Sequence, residues 1–366
     1  MLRLTLVASA LALLLPGAAV GAACSPLDCS TSQFVLAHGR MLAVRQSVDK
    51  PLRVIDLRTG GTRWHLPPGV VSGRTLVHQD GALLTWYDLA TGRRVADAML
   101  QQRGTFSLVG VSQDGASAVV ARTQKRSTTF AIASPHTQRV VKLGGNNWSF
   151  DALDGRFLFL IQTLRFGYEV RLYDLATNTL RKQPLKDQDR SALISGLPFA
   201  RVSSPNGRYL FTLYIGGDGN AMVHELDTAA GRAYCIDLPG SGDFAAAATW
   251  ALVQADDGDN GTLWAVSVGY GRLVAIDVAS HRLRVRYSFQ RASWNPNAGI
   301  AALAPDGQHV AFTDATHVWV ADLADGRVAT EPSHVAIALG WKTDQSALWV
   351  VGERSRVSRL APLRLR

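Results

Sequence analysis

The chain is 366 residues long, 47% hydrophobic and 18% charged, with a formal net charge of +9 at pH 7. Arginine outnumbers lysine 32 to 6, so the excess reads first as a compositional bias, and past the N-terminal region no stretch approaches the ~20 apolar residues of a membrane-spanning helix. No later segment sustains a 3.6-residue apolar period either, which excludes a helical bundle and leaves an all-β class.

In chain order, Arg3, the apolar run Leu4 to Leu15, Pro16-Gly17 and the small residues Ala18 to Ala23 have the make-up of a secretory signal peptide, expected over residues 1–23. Residues 24–33 read as a short N-terminal tail that could fold back to close the ring. Cys24 follows Gly21-Ala22-Ala23, which resembles a bacterial lipobox with Gly21 where a Leu-like residue is expected. An oxidising compartment favours disulfides, and three cysteines leave one over. A lipidated Cys24 leaves Cys29 and Cys235 to pair; otherwise Cys24 and Cys29 close a small loop and Cys235 is a buried thiol in Ala233-Tyr234-Cys235-Ile236. Both arrangements stay open.

From residue 34 to 366 one pattern recurs: two hydrophobic runs around a turn, then a strand ending in Asp-Leu and a polar corner. The clearest corners are Asp56-Leu57-Arg58-Thr59-Gly60, Asp88-Leu89-Ala90-Thr91-Gly92, Asp174-Leu175-Ala176-Thr177-Asn178 and Asp322-Leu323-Ala324-Asp325-Gly326. The preceding turns fall at Gly39, Gly73, Asp114-Gly115, Asp154-Gly155, Asn206-Gly207, Asn260-Gly261, Asp306-Gly307 and Thr343-Asp344-Gln345. Asp-Gly and Asn-Gly supply the positive φ of tight hairpins. The runs after them, such as Tyr209 to Tyr214, Phe157 to Ile161 and Leu348 to Val351, suit strands packed on both faces. A repeat of about 40–50 residues with four short strands is the signature of a β-propeller. Eight turns and eight corners predict eight blades; seven, with the first and last segments sharing a sheet, is the alternative. The fourth strand of the last blade falls either to Leu363 to Arg366 or to a returning Leu27 to Thr31.

Ser204-Pro205-Asn206-Gly207-Arg208-Tyr209-Leu210, Ala304-Pro305-Asp306-Gly307-Gln308-His309-Val310 and the pair Leu263-Trp264-Ala265-Val266 with Leu273-Val274-Ala275-Ile276-Asp277 resemble WD40-like propeller repeats of the TolB and YVTN type. The resemblance implies the fold and little about function. Asp56-Leu57-Arg58-Thr59-Gly60 with Trp64 is also similar to a pyrroloquinoline-quinone enzyme repeat, in which such a tryptophan docks on the neighbouring blade. Ala96 stands where the next copy would carry its tryptophan, and no adjacent cysteine pair is present.

Chemistry is hard to find in this sequence. No Gly-x-Ser-x-Gly elbow, His-Glu-x-x-His helix or phosphate-cradling glycine loop occurs. The acidic run Asp256-Asp257-Gly258-Asp259-Asn260-Gly261 lacks the closing Glu of an EF-hand loop and falls where a hairpin turn belongs. No cofactor, metal or nucleic acid is expected. In His281 to Arg286 and in Arg354 to Arg366 arginine alternates with apolar residues, as on exposed outer strands, and those strands could attract anionic polymers. Between-blade loops and turns between second and third strands crowd one end of a propeller, so Asn147, Trp148, Phe244, Arg291, Trp294 and Asn295 are the candidate ligand-binding residues, with the two tryptophans equally suited to packing. The expectation is an exported, monomeric, non-catalytic module that binds an envelope polymer, glycan or exported protein, tethered to membrane only if Cys24 is lipidated. The alternative is a propeller enzyme, quinoprotein-like or lyase, working at the channel mouth.

Overall fold

The computed structural model describes residues 32–36, 40–165, 167–185, 196–204, 206–254, 261–292, 299–314, 316–352 and 356–360. Strands fall into eight antiparallel sheets in sequence order, spanning 32–66, 70–99, 107–144, 148–180, 197–237, 250–288, 301–332 and 336–360. Each sheet is a blade. Seven hold four strands, and the eighth holds three among the described residues. Residues Ser32–Leu36 pair with Met41–Arg45 of their own blade, and the last segment forms its own sheet. The seven-blade alternative is therefore corrected to eight. Both candidates for a further strand, 27–31 and 363–366, lie outside the described residues, as do Cys24 and Cys29.

Alternation explains the packing. In the second strand of blade 5, Tyr209–Ile215, every residue is buried, because a blade in mid-ring is covered on both faces. Val54, Leu76 and Leu89 pack together between blades 1 and 2, and Leu42, Ile55 and Ile337 between blades 8 and 1. Each buried aliphatic side chain of this kind contributes roughly 1.5–3 kcal/mol. The Gln33 amide also spans the closure: Nε2 donates to Ala301 O of blade 7 at 2.5 Å and Oε1 accepts from Leu339 N of blade 8 at 2.9 Å. Each blade is a separate sheet, so the edges that remain are those of its short inner and outer strands.

The Asp-Leu corners follow from local chemistry. Asp56, Asp88, Asp174, Asp227, Asp277 and Asp322 each accept a hydrogen bond through Oδ1 from a backbone N–H two or three residues on, the short-range turn that Asp favours. Each corner closes on a left-handed residue, Gly60, Gly92, Asn178, Gly231, His281 or Gly326, with φ between 53° and 78°. At three corners an aromatic ring of the preceding blade lies against that glycine and donates to the corner leucine's carbonyl: Trp349 to Leu57 O (2.5 Å), Trp64 to Leu89 O (3.1 Å) and Tyr287 to Leu323 O (3.0 Å). A Cβ on Gly92 would come within 2.9 Å of the Trp64 ring, so only glycine fits. The docking position expected of Trp64 is thus occupied as the sequence implied.

Candidate functional site

Each blade starts with its innermost strand and runs antiparallel. Between-blade loops and the turns between second and third strands therefore share one end of the ring, with the Asp-Leu corners at the other. At the loop end, a cavity of about 600 Å³ opens among blades 1, 2 and 3. It exists because the inner strand of blade 2, Val70–Ser72, is only three residues long. Its register on the second strand stops at Val70↔Val77, so His78, Gln79 and Asp80 pair with the third strand alone. Pro67-Pro68 precede that inner strand, and proline cannot donate to a ladder.

The walls are held by polar side chains. Gln79 Nε2 donates to Gly81 O and to Phe106 O, both at 2.8 Å, while its Oε1 accepts from Leu108 N at 2.6 Å. His78 Nδ1 lies 2.7 Å from Pro68 O; a carbonyl only accepts, so Nδ1 carries the proton and Nε2 is the acceptor of the neutral ring. Gln102 Oε1 is buried with no hydrogen-bond partner among the described residues. Val70, Leu100 and Phe106 supply the apolar surface, and Thr105 and Ser107 hydroxyls. Among the described residues none of those lining the cavity is charged, although the Arg45 guanidinium donates to Gly69 O at 2.5 Å and that of Arg122 lies over the Phe106 ring.

A second polar concentration runs through the seams beside blade 5. Asp151, at a bulge in the inner strand of blade 4, pairs with Arg201 on the inner strand of blade 5: Nη2 donates to Oδ1 at 2.7 Å, Nη1 to Asp151 O and Nε to Thr212 Oγ1, both at 3.0 Å. These bonds occupy each guanidinium nitrogen. Tyr168 and Tyr214 pack with centroids 5.2 Å apart; burial pushes the Tyr214 phenol up to about 12 and raises that of Tyr168. His224 and Glu225 are neighbours on one strand and face opposite ways, as strand geometry dictates. His224 Nδ1 lies 3.8 Å from Cys235 Sγ, and Glu225 Oε2 lies 3.3 Å from His281 Nδ1. Glu225 is fully buried, and burial, reinforced by Asp227 and opposed by Arg208, pushes its carboxyl up to about 8.

An enzyme site at the channel mouth would bring His, Glu and Asp within hydrogen-bond reach there. The His–Glu contact instead joins the outer part of blade 5 to the corner of blade 6, and Asp151 is engaged by Arg201. Among the described residues no group of three His, Cys, Asp or Glu is placed to hold a metal ion.

Of the residues expected to bind ligand, Trp148 is corrected to core. It is 8% exposed, packs with Leu153 and Leu158, and its Nε1 donates to Gly144 O at 2.7 Å. It begins the inner strand Trp148–Asp154 rather than lying in the loop before it. Asn147 Nδ2 donates to Thr163 O at 2.7 Å and fastens that loop. Phe244 is 38% exposed, at the start of a one-turn helix, Phe244–Ala247, capped by Asp243, and lies edge-on to Phe199. That turn of helix was not evident in the sequence. Arg291 is exposed. Trp294, Asn295 and the acidic loop at 255–260 lie outside the described residues. Cys235 is half-buried and forms no disulfide among the described residues. The structure brings none of the described candidates, Asn147, Trp148, Phe244 and Arg291, into the cavity. His78, Gln79, Gln102 and Phe106 were missed, and the short second repeat with Pro67-Pro68-Gly69 was the available signal.

No family model matches the chain, and no curated protein matches it. Among solved structures it is similar to AztD of Citrobacter koseri, at 13% identity over 82% of this chain and 86% of that one, with a TM-score of 0.53. It is similar to the Dos1 propeller at 12% identity over 92% and 93%, with a TM-score of 0.50. An oligogalacturonate lyase in complex with manganese aligns over 81% and 87% at 14% identity, with a TM-score of only 0.46. At such identities the likeness concerns fold alone: the chain is an eight-bladed β-propeller.

Proposed function

We propose that the protein is an exported, non-catalytic, monomeric propeller that binds an uncharged, hydroxyl-rich ligand in the loop-end cavity, for which a neutral oligosaccharide of the cell envelope has the matching chemistry. The observation that carries this reading is the composition of the walls: amide, imidazole and hydroxyl groups beside aliphatic surface, with no charged residue among the described lining residues. Sugar hydroxyls donate and accept at once, and the C–H faces of the ring suit Val70 and Leu100. Export rests on the signal-like residues 1–23, with the WD40-like repeat pattern as a family resemblance beside it.

Calorimetric titration with neutral trisaccharides of glucose and of N-acetylglucosamine tests the reading. Binding by the wild type, lost at least tenfold in Gln102→Leu with an unchanged melting temperature, supports it; equal binding by both proteins refutes it. Mass spectrometry of protein secreted by a bacterial host should find a mature N-terminus at or near Ala23, and an intact N-terminus in the cell lysate would overturn export.

A further inference from the structure

The outer strands hold a charge pattern that the cavity does not use. The seven outer strands of blades 1–7 together carry nine arginines and lysines against three acidic residues, Asp97, Asp237 and Glu331. That excess of six is most of the formal +9 of the chain. It is also periodic: Arg63, Arg93, Arg139, Arg232 and Arg282 stand at the first or second position of their outer strands, with Arg181 and Arg327 just beside theirs. All seven are exposed.

The corner aspartates could neutralise them and largely do not. Arg74 takes Asp88, Arg156 takes Asp174 and Arg208 takes Asp227, and each of these partners comes from the hairpin between first and second strands. The corner of blade 3 has no Asp, and Asp277 of blade 6 accepts from Ser280 N and Oγ. Among the described residues no carboxylate is in ion-pair contact with Arg93, Arg139, Arg181, Arg232 or Arg282, whereas Arg63 pairs with Asp56 and Arg327 with Asp325. The five arginines without an ion-pair contact belong to blades 2, 3, 4, 5 and 6, an unbroken arc of the circumference.

We propose that this arc binds a linear polyanion with regularly spaced phosphates, one blade after another along the outer wall. A repeating cation on a curved wall matches a flexible repeating anion, because each phosphate bound raises the effective concentration of the next. Guanidinium suits phosphate through paired N–H donors. A flat bilayer touches a curved wall along only a short stretch, so a membrane engages fewer of the five.

The test uses the full-length protein and inorganic polyphosphate as probe, at low and at physiological salt. Wild-type affinity should rise steeply from triphosphate to chains of tens of phosphates. Replacing Arg93, Arg139, Arg181, Arg232 and Arg282 with Gln should weaken long-chain binding on the order of 100-fold, from a severalfold loss per cation near an anionic ligand. A control with Lys50, Lys125, Arg126, Arg291 and Arg356 changed to Gln removes the same charge from the loop end and should lose under fivefold. The five Arg→Lys changes should keep most of the binding, which separates charge from misfolding. Equal losses in the two Gln variants, affinity independent of chain length, or binding to anionic phospholipid vesicles without binding to polyphosphate would each overturn the proposal.

Discussion

The junction between blades 1 and 2 and the junction between blades 5 and 6 are built on the same corner and filled in opposite ways. In the first, Trp64 lies over Gly92 and donates to Leu89 O, a contact of ring, glycine and backbone with no titratable group. In the second, the left-handed position holds His281 instead of glycine, at φ 55°. Tyr234 of the preceding blade stacks on the imidazole, with centroids 3.6 Å apart and planes 19° from parallel, and the fully buried Glu225 bonds its Nδ1. A shared backbone geometry thus accepts either an apolar ring on glycine or an ionisable stack. The first depends on the absence of a Cβ and the second on protonation.

The steric half of that contrast should reach the largest effect. Gly92→Val places a branched side chain in the left-handed region and against the indole, so it should cost about 2–5 kcal/mol, combining backbone strain of ~1–2 with overpacking of ~1–3 kcal/mol. Urea denaturation measures it. A loss below about 1 kcal/mol would mean that the indole moves aside freely and the docking is incidental.

The ionisable half should appear as pH dependence. Glu225 is held above its ordinary 4.5, at about 8, by burial and Asp227 against Arg208, with His281 at its carboxyl and Tyr234 on the paired position of the outer strand. The fold therefore favours the protonated acid. Its contribution is complete below about pH 4.5, declines as the pH rises, and is gone above about pH 8. Glu225→Gln, which stays neutral, should gain on the wild type by on the order of 4 kcal/mol between pH 5 and pH 9 in urea denaturation. Parallel pH profiles for the two proteins would remove the distinction between the junctions.

The smallest effect should come from His281→Gly, which restores the residue of the other corners. Relief of the left-handed strain and loss of the stacked ring, each worth about 1 kcal/mol, offset one another, so the net loss should be about 1 kcal/mol from the hydrogen bond to Glu225. A loss beyond about 3 kcal/mol would sharpen the comparison by showing that the stack is indispensable to blade 6.

Local chemistry made the fold legible. Asp at the corners caps its own turn and glycine there accepts positive φ, so six corners and their spacing stand in the sequence as short-range signals. Trp64 was legible through the resemblance to a quinoprotein repeat, in which a tryptophan at that distance from the corner docks on the next blade. Trp148 was not: loop or strand turns on a single residue, and the hydrogen bond to Gly144 O that settles it depends on how blade 4 begins.

The sequence by itself thus determined the repeat of turns and corners, the strand alternation and the arginine beside the corner in blade after blade, all set by residues within a few positions of one another. The choice between seven and eight blades fell to the pairing of the first and last segments. Only the tertiary structure decided the rest. Gln33 closes the ring across 268 and 306 residues, and Glu225 meets His281 across 56. The cavity among blades 1, 2 and 3 appears where a three-residue inner strand leaves space between loops that no local pattern brings together. Contacts of that kind are fixed by ring closure, and ring closure is a property of all eight blades at once.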